Sequence, residues 1–137
     1  MVDKKIIIPL LIKHEGLKLK AYTDTVGKLT IGIGRNLTDR GITKVEAVYL
    51  CSNNVDESIT ELQKNLPWFN ALPDNAQLVL IDMHYNMGWP VLSQFKNTLD
   101  HIKNGQYKEA GNEMLNSTWA KQVGGRAVED SDLLKSI

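Results

Sequence analysis

The sequence predicts an α+β fold, a small antiparallel β lobe in an otherwise helical chain, and three patterns support this. Apolar and polar residues alternate from Leu17 to Ile33 between turn signals, which is the period of a strand. From Thr43 onward apolar residues recur at intervals of three and four, which is the period of a helix. A short apolar stripe near the N-terminus closes at Gly16, where a helix would stop.

Taken in order, the first helix is expected to start near Ile8, because Pro9 is tolerated in a first turn but breaks an interior. It ends at Gly16 and presents Glu15 from its last turn, where the helix dipole disfavours a negative charge. Thr23-Asp24-Thr25 and Val26-Gly27-Lys28 are turn signals within the alternating stretch, so a hairpin or three-stranded sheet is expected. Gly32 and Gly34 alternate with Ile31 and Ile33, leaving one strand face bare; this marks a bulge or lets something approach the backbone closely. Asn36 to Ile42 is a loop.

Thr43 and Glu46 form a capping box for a long helix, about 44–64, whose stripe is Ala47, Cys51, Val55, Ile59 and Leu62. Pro67 and Pro73 bracket a turn in which Trp68 and Phe69 read as hydrophobic plugs. Asp74 to Asn86 is another apolar helix, closed by Gly88 and Pro90, and shorter helices follow from about Val91, Thr98, Gln106, Thr118 and Gly125. The organisation expected is one domain, 1–137, with a β-rich lobe at about 15–42, the connecting helix, and a helical lobe at about 66–137.

At 137 residues the chain is long enough to bury about two-thirds of its unfolded surface. Cys51 is the only cysteine, so no intramolecular disulfide forms, and it reads as a small buried apolar residue. His14, His84 and His101 lack metal-ligand spacing, so chemistry without metal or cofactor is expected. The 16 basic and 16 acidic residues balance, with no basic run, which argues against nucleic acid as a partner and leaves a DNA-associated helical protein with only its helices in favour. The apolar run Ile6 to Ile12 is short, contains Pro9 and lacks a cleavage site, so neither an export signal nor a stable membrane contact is expected.

The chemistry is concentrated between Glu15 and Gly34. A carboxylate at a helix end, Asp24 beside a turn and the hydroxyl of Thr30 on a strand supply two acids and a water-holding group, which is what hydrolysis of a glycosidic bond requires. Each has a bland alternative. Glu15 could be a solvated helix-end charge, Asp24 a residue bonding its own turn, and Thr30 an ordinary strand residue.

Glu15-Gly16, then L-x-L-x-x-Y-x-D-T-x-G and T-I-G-x-G, resembles the signature of the phage-type lysozymes, the endolysin family (glycoside hydrolase family twenty-four) that includes the T-even phage lysozyme. Asn86-Met87-Gly88, the segment Phe95 to Leu99, and the run Ser117 to Ala127 with Trp119, Gln122 and Arg126 are similar to later landmarks of that family in the same order. The resemblance implies a lysozyme-like fold and a muramidase that cleaves the β-1,4 bond between N-acetylmuramic acid and N-acetylglucosamine. Under it Glu15 is the general acid, Asp24 the second carboxylate and Thr30 the group holding the attacking water.

Arg126 matches an arginine that neighbours the acid. Tyr85 and Asn86 match a pair lining the cleft between lobes, with Tyr85 alternatively a core residue, and Asn36, Thr98 and Glu113 fall where relatives touch saccharide. Arg35 stands where some relatives have His, a permanent cation that Asn54 or Asp56 could receive. The loop after the hairpin is shorter than in the T-even enzyme, and the net charge is neutral where many endolysins are basic.

The implied partners are peptidoglycan strands and a membrane-opening holin. The enzyme would be a monomer made in the host cytoplasm and released to the periplasm and wall at lysis. Two other readings stand beside this one: a lytic transglycosylase, which needs no positioned water, and a wall-binding module that recognises glycan without cutting it.

Overall fold

The computed structural model describes residues 1–137, in which eight α-helices accompany three strands. Two compact units divide the chain, Met1–Tyr49 and Leu50–Ile137.

The first unit begins with α1, Lys4–Glu15. It starts four residues before the position expected from Pro9, because the Asp3 side chain accepts a hydrogen bond from the Lys5 N–H at 2.9 Å and caps the helix there. Pro9 therefore lies inside α1, where it removes the N–H that would bond the Lys5 carbonyl. Lys5 is solvent-exposed, so water is at hand for the freed acceptor, and no residue of α1 is buried. Gly16 ends the helix at φ 81°, its N–H returning to the Ile12 carbonyl at 2.7 Å.

Strands β1 (Lys18–Thr23), β2 (Leu29–Gly32) and β3 (Arg35–Asn36) form an antiparallel sheet in that order. The pairs Lys18↔Gly32 and Tyr22↔Thr30 enclose an irregularity in β1, which puts Thr30 opposite Tyr22. Asp24 and Gly27 make the first turn. The second is only Ile33-Gly34, after which Ile31 pairs with Arg35.

Helix α2, Lys44–Asn65, opens on the expected capping box, with the Thr43 hydroxyl accepting from the Glu46 N–H at 3.2 Å and the Glu46 carboxylate accepting from the Thr43 N–H at 2.9 Å. Only Ser58 and Leu62 of α2 are buried. Cys51 is thus exposed rather than the core residue its place in the apolar stripe implied, because the first turns of the helix lie outside the packed core.

The second unit holds the hydrophobic core. After a 3-10 turn at Phe69–Ala71 come α3 (Asp74–Met87), α4 (Trp89–Leu92), α5 (Lys96–Lys103), α6 (Tyr107–Leu115), α7 (Thr118–Val123) and α8 (Gly125–Lys135). Leu62, Val79, Leu80, Met83, Leu92, Ile102, Met114 and Leu134 have no solvent exposure at all, each a burial worth about 1.5–3 kcal/mol. Phe69 is buried and Trp68 packs against the same core, as plugs after the long helix.

His84, on α3, is a buried polar group fully engaged by α2. Its Nδ1 bonds the Ser58 hydroxyl and its Nε2 the Glu61 carboxylate, both at 2.8 Å. The helix expected from Val91 begins two residues earlier, since Gly88 at φ 76° turns the chain and Pro90 takes its place in the first turn of α4, and the helix expected from Thr98 also begins two residues earlier, at Lys96.

Gly111 marks a close contact between α6 and α8. A Cβ there would lie 2.9 Å from the Ser131 hydroxyl and 3.0 Å from the Lys135 side chain. Ser131 is fully buried and donates to the Gly111 carbonyl at 2.9 Å, so it cannot swing aside without losing that bond. Gly111→Ala gains roughly 1 kcal/mol of helix propensity but overpacks α6 against α8 at a cost of about 1–3 kcal/mol. The expected outcome is a lower urea midpoint with an unchanged slope; a raised midpoint would show that the contact yields freely.

Candidate active site

Glu15 is the last residue of α1, and the glycine that ends the helix leaves its side chain free to turn toward the β2–β3 turn. The carboxyl lies against the backbone of Gly34: a Cβ on that residue would come within 2.8 Å of Glu15 Oε2 and 3.3 Å of its carboxyl carbon. Gly34 also has φ 69°, a conformation that side chains resist. Of the two glycines, only Gly34, which lies in the turn and not in the strand, is approached by the candidate general acid; nothing comes within 4 Å of a Cβ placed on Gly32.

Asp24 sits in the turn after β1. Its Oδ1 accepts from the Val26 N–H at 3.0 Å and the Lys28 N–H at 2.8 Å, which fixes the carboxylate in the turn and leaves Oδ2 without a protein donor. The turn role and a role toward substrate thus fall to different oxygens. Thr30 is the one buried residue of the first unit, at 4% exposure, and its hydroxyl donates to the Lys28 carbonyl at 3.0 Å. With its proton committed, that hydroxyl has only acceptor capacity left for a water.

Arg35 is held by Glu46, not by Asn54 or Asp56. Nη1 donates to Oε1 at 2.8 Å and Nη2 to Oε2 at 2.6 Å, and Nη1 reaches the Gly41 carbonyl at 3.2 Å. Glu46 is in the first turn of α2 and already bent back by the capping box, whereas Asn54 and Asp56 lie two to three turns further along. The Arg35 guanidinium, hydrogen-bonded to it, holds the Glu46 carboxyl down at about 2, helped by the two bonds to Thr43. Asn36 is spent locally: its Oδ1 accepts from the Asp39 N–H at 2.9 Å and its Nδ2 donates to Asp39 Oδ2 at 3.0 Å.

In the second unit a cavity of about 790 Å³ brings together three of the five expected saccharide contacts, Asn86, Thr98 and Glu113. The Trp119 indole N–H donates to Asn86 Oδ1 at 2.7 Å, and the same indole meets Phe95 edge-on with centroids 6.2 Å apart. Thr98 is only 2% exposed and lies at the base of the cavity; Glu113 accepts from the Asn97 amide at 3.3 Å. Tyr85 does not line this cavity. It is an exposed residue, not a core one, and borders a second space of about 450 Å³ with Arg126.

Arg126 is held by a residue the sequence reading missed. Its Nε donates to Asp82 Oδ2 at 2.9 Å and its Nη2 to Asp82 Oδ1 at 2.7 Å and to the Asp82 carbonyl at 3.1 Å. This fork of hydrogen bonds holds the Asp82 carboxyl below its ordinary range. No group of three or more His, Cys, Asp or Glu side chains converges as a metal site would require.

The glycine contact generates one expectation. Gly34→Ala must either strain the turn or push the Glu15 carboxyl away, and a displacement of about 1 Å costs on the order of a hundredfold in rate. The expected result is a folded protein with its catalytic rate reduced at least tenfold; an unchanged rate would show that Glu15 does not act from this position.

Comparison with known proteins matches residues 12–135 to the family model described as phage lysozyme. The chain is 30% identical to the probable T4-type lysozyme 2 of Dictyostelium discoideum, over 82% of this chain and 84% of that protein. It is 28% identical to the probable T4-type lysozyme 1 of the same organism over the same shares. It is also 27% identical to the pre-baseplate central spike protein Gp5 of Enterobacteria phage T4, over 86% of this chain but 25% of that one.

Proposed function

Because the chain belongs to the phage lysozyme family, whose model spans residues 12–135, we propose that it is an endolysin hydrolysing the β-1,4 bond between N-acetylmuramic acid and N-acetylglucosamine for host lysis. The family makes it a glycoside hydrolase of the lysozyme type, with peptidoglycan as substrate. The observation that carries the finer reading is the Glu15 carboxyl on the bare backbone of Gly34, in the same unit as Asp24 and Thr30.

In the mechanism, Glu15 protonates the glycosidic oxygen as the bond to the anomeric carbon breaks. Asp24 stabilises the oxocarbenium-like charge. The Thr30 hydroxyl, which donates to the Lys28 carbonyl, accepts a hydrogen bond from one O–H of a water, and the free oxygen of Asp24 accepts one from the other O–H and takes that proton as the new C–O bond forms, leaving the second proton on the anomeric hydroxyl. A lone pair of the water then faces the sugar from the side opposite the leaving group, and the reaction inverts the anomeric centre. Metal and cofactor have no part in this scheme.

The cavity of Asn86, Thr98 and Glu113 supports a place for the glycan, with Trp119 orienting the Asn86 amide. Arg126 takes the electrostatic part toward the acid that the family pattern gives it, while Arg35, tied to Glu46, braces the turn that carries Gly34. The enzyme works as a monomer, is made in the host cytoplasm and reaches the wall when a holin opens the membrane. No helix of the chain is long and apolar enough to cross a membrane itself.

Glu15→Gln tests the assignment, because Gln keeps the shape and loses the transferable proton. Wall lysis is expected to drop by about two to four orders of magnitude with the circular dichroism spectrum unchanged. A folded variant that lyses at the wild-type rate would end the assignment of Glu15 as the acid.

A further inference from the structure

The arginine assigned to the site does not stand alone with Asp82. Asp130, one turn further along α8, is 3% exposed, and its Oδ2 has no hydrogen-bond partner among the donors of the protein. Asp82, Arg126 and Asp130 line one cavity, and because the Arg126 donors go to Asp82, an ionised Asp130 beside it meets a second negative charge with no donor of its own. Asp130 is the more buried of the two acids and the one Arg126 does not bond.

We infer that Asp130 is a positioning residue of the enzyme: as the neutral acid it donates its proton to Asp82, fixes that carboxylate in the orientation that grips Arg126, and loosens the grip when it ionises. This rests on the reading that Arg126 acts on the catalytic acid.

Burial first, then the hydrogen bond to Asp82, raises the Asp130 carboxyl to about 8. The charged groups acting on it are Asp82 from α3 and Arg126 and Glu129 from its own helix. Tyr85 of α3 and Cys51 of α2 are the other titratable residues of the adjoining cavity. The buried residues of α6 and α7 (Ala110, Gly111, Met114, Trp119 and Ala120) bring no further titratable group. Below the transition Asp82 has two donors, Arg126 and the Asp130 hydroxyl. Above it, two carboxylates repel each other and compete for the guanidinium, so its direction is no longer fixed.

Stability gives a separate signature. A group whose folded pKa lies above its unfolded value contributes stability that is present below the unfolded pKa and lost as pH rises through the folded one. For Asp130 that loss runs from about pH 4 to about 8 and is complete above it. Asp82, shifted the other way, acts only at the acid end, where its contribution is lost as pH falls.

The test uses the full chain and D130N, whose amide keeps a donor at the same place and does not titrate. The ratio of wild-type to D130N lysis rates removes the pH effects common to both proteins. It is expected to be constant below about pH 7 and to fall through a one-proton step with its midpoint near 8 to a lower plateau. In parallel, the Arg126 Nε–H resonance and the Asp130 carboxyl carbon of the wild type should titrate together with that midpoint, which tests the coupling even if D130N does not fold.

A flat ratio in active enzymes, or an Asp130 carboxyl titrating in the ordinary carboxylate range, would overturn the role of Asp130. A wild type without lysis at any pH would overturn the muramidase reading instead, while the two resonances still report whether Asp130 holds Asp82 on Arg126.

Discussion

The first unit is arranged around one close approach, the carboxyl of Glu15 against an α-carbon that carries no side chain. A general acid is useful only if its proton is held at a fixed point, and a long flexible side chain at a helix end is poorly suited to that. Each neighbouring feature removes some of its freedom. Gly16 stops the helix directly after the acid, the two-residue turn Ile33-Gly34 brings the bare backbone to it, and Arg35 anchors the turn through Glu46 to the start of α2. The Glu46 carboxylate serves the capping box and the ion pair at once, so the same residue starts the helix and braces the turn.

The hydrophobic core and the candidate acids Glu15 and Asp24 lie in different units. Every residue of the hydrophobic core lies at or beyond Leu62, whereas the only buried residue of the first unit is Thr30. Stability is uneven across most proteins, and regions with few buried contacts open most easily. The second unit spends its packing on fixing polar groups as well: the Phe95–Trp119 contact aims an indole N–H at Asn86, and Ser58 and Glu61 hold both nitrogens of His84.

What was legible in the sequence was local. The capping box of Thr43 and Glu46, the Asp24 turn, the termination at Gly16 and the long helix all follow from residues within a few positions of each other, and the structure has them there. The misplaced start of α1 is a contest between two local rules, in which the Asp3 cap outweighed the proline. Other features depend on pairings across the chain. Arg35 found Glu46 because a capping carboxylate was already turned toward it, and Cys51 is exposed because a stripe at helical spacing says which residues share a face but not how far along that face the core extends. Asp82 and Arg126 are 44 positions apart, and nothing in the neighbourhood of Asp130 marks it as buried. The burial of Asp130 in the cavity that Asp82 and Arg126 line belongs to packing, and only coordinates reveal it.

In the proposed mechanism a water held by Asp24 and Thr30, not a side chain, attacks the carbon that Glu15 helps to free. Proton NMR of nascent saccharides from peptidoglycan, read before mutarotation, tests this most directly. The account predicts an α-anomer with a free reducing end, the product of inversion from the β-linked glycan. A β-anomer would mean that Asp24 attacks the sugar itself, and a 1,6-anhydro end would mean that the sugar's own hydroxyl replaces water; either result would contradict the account.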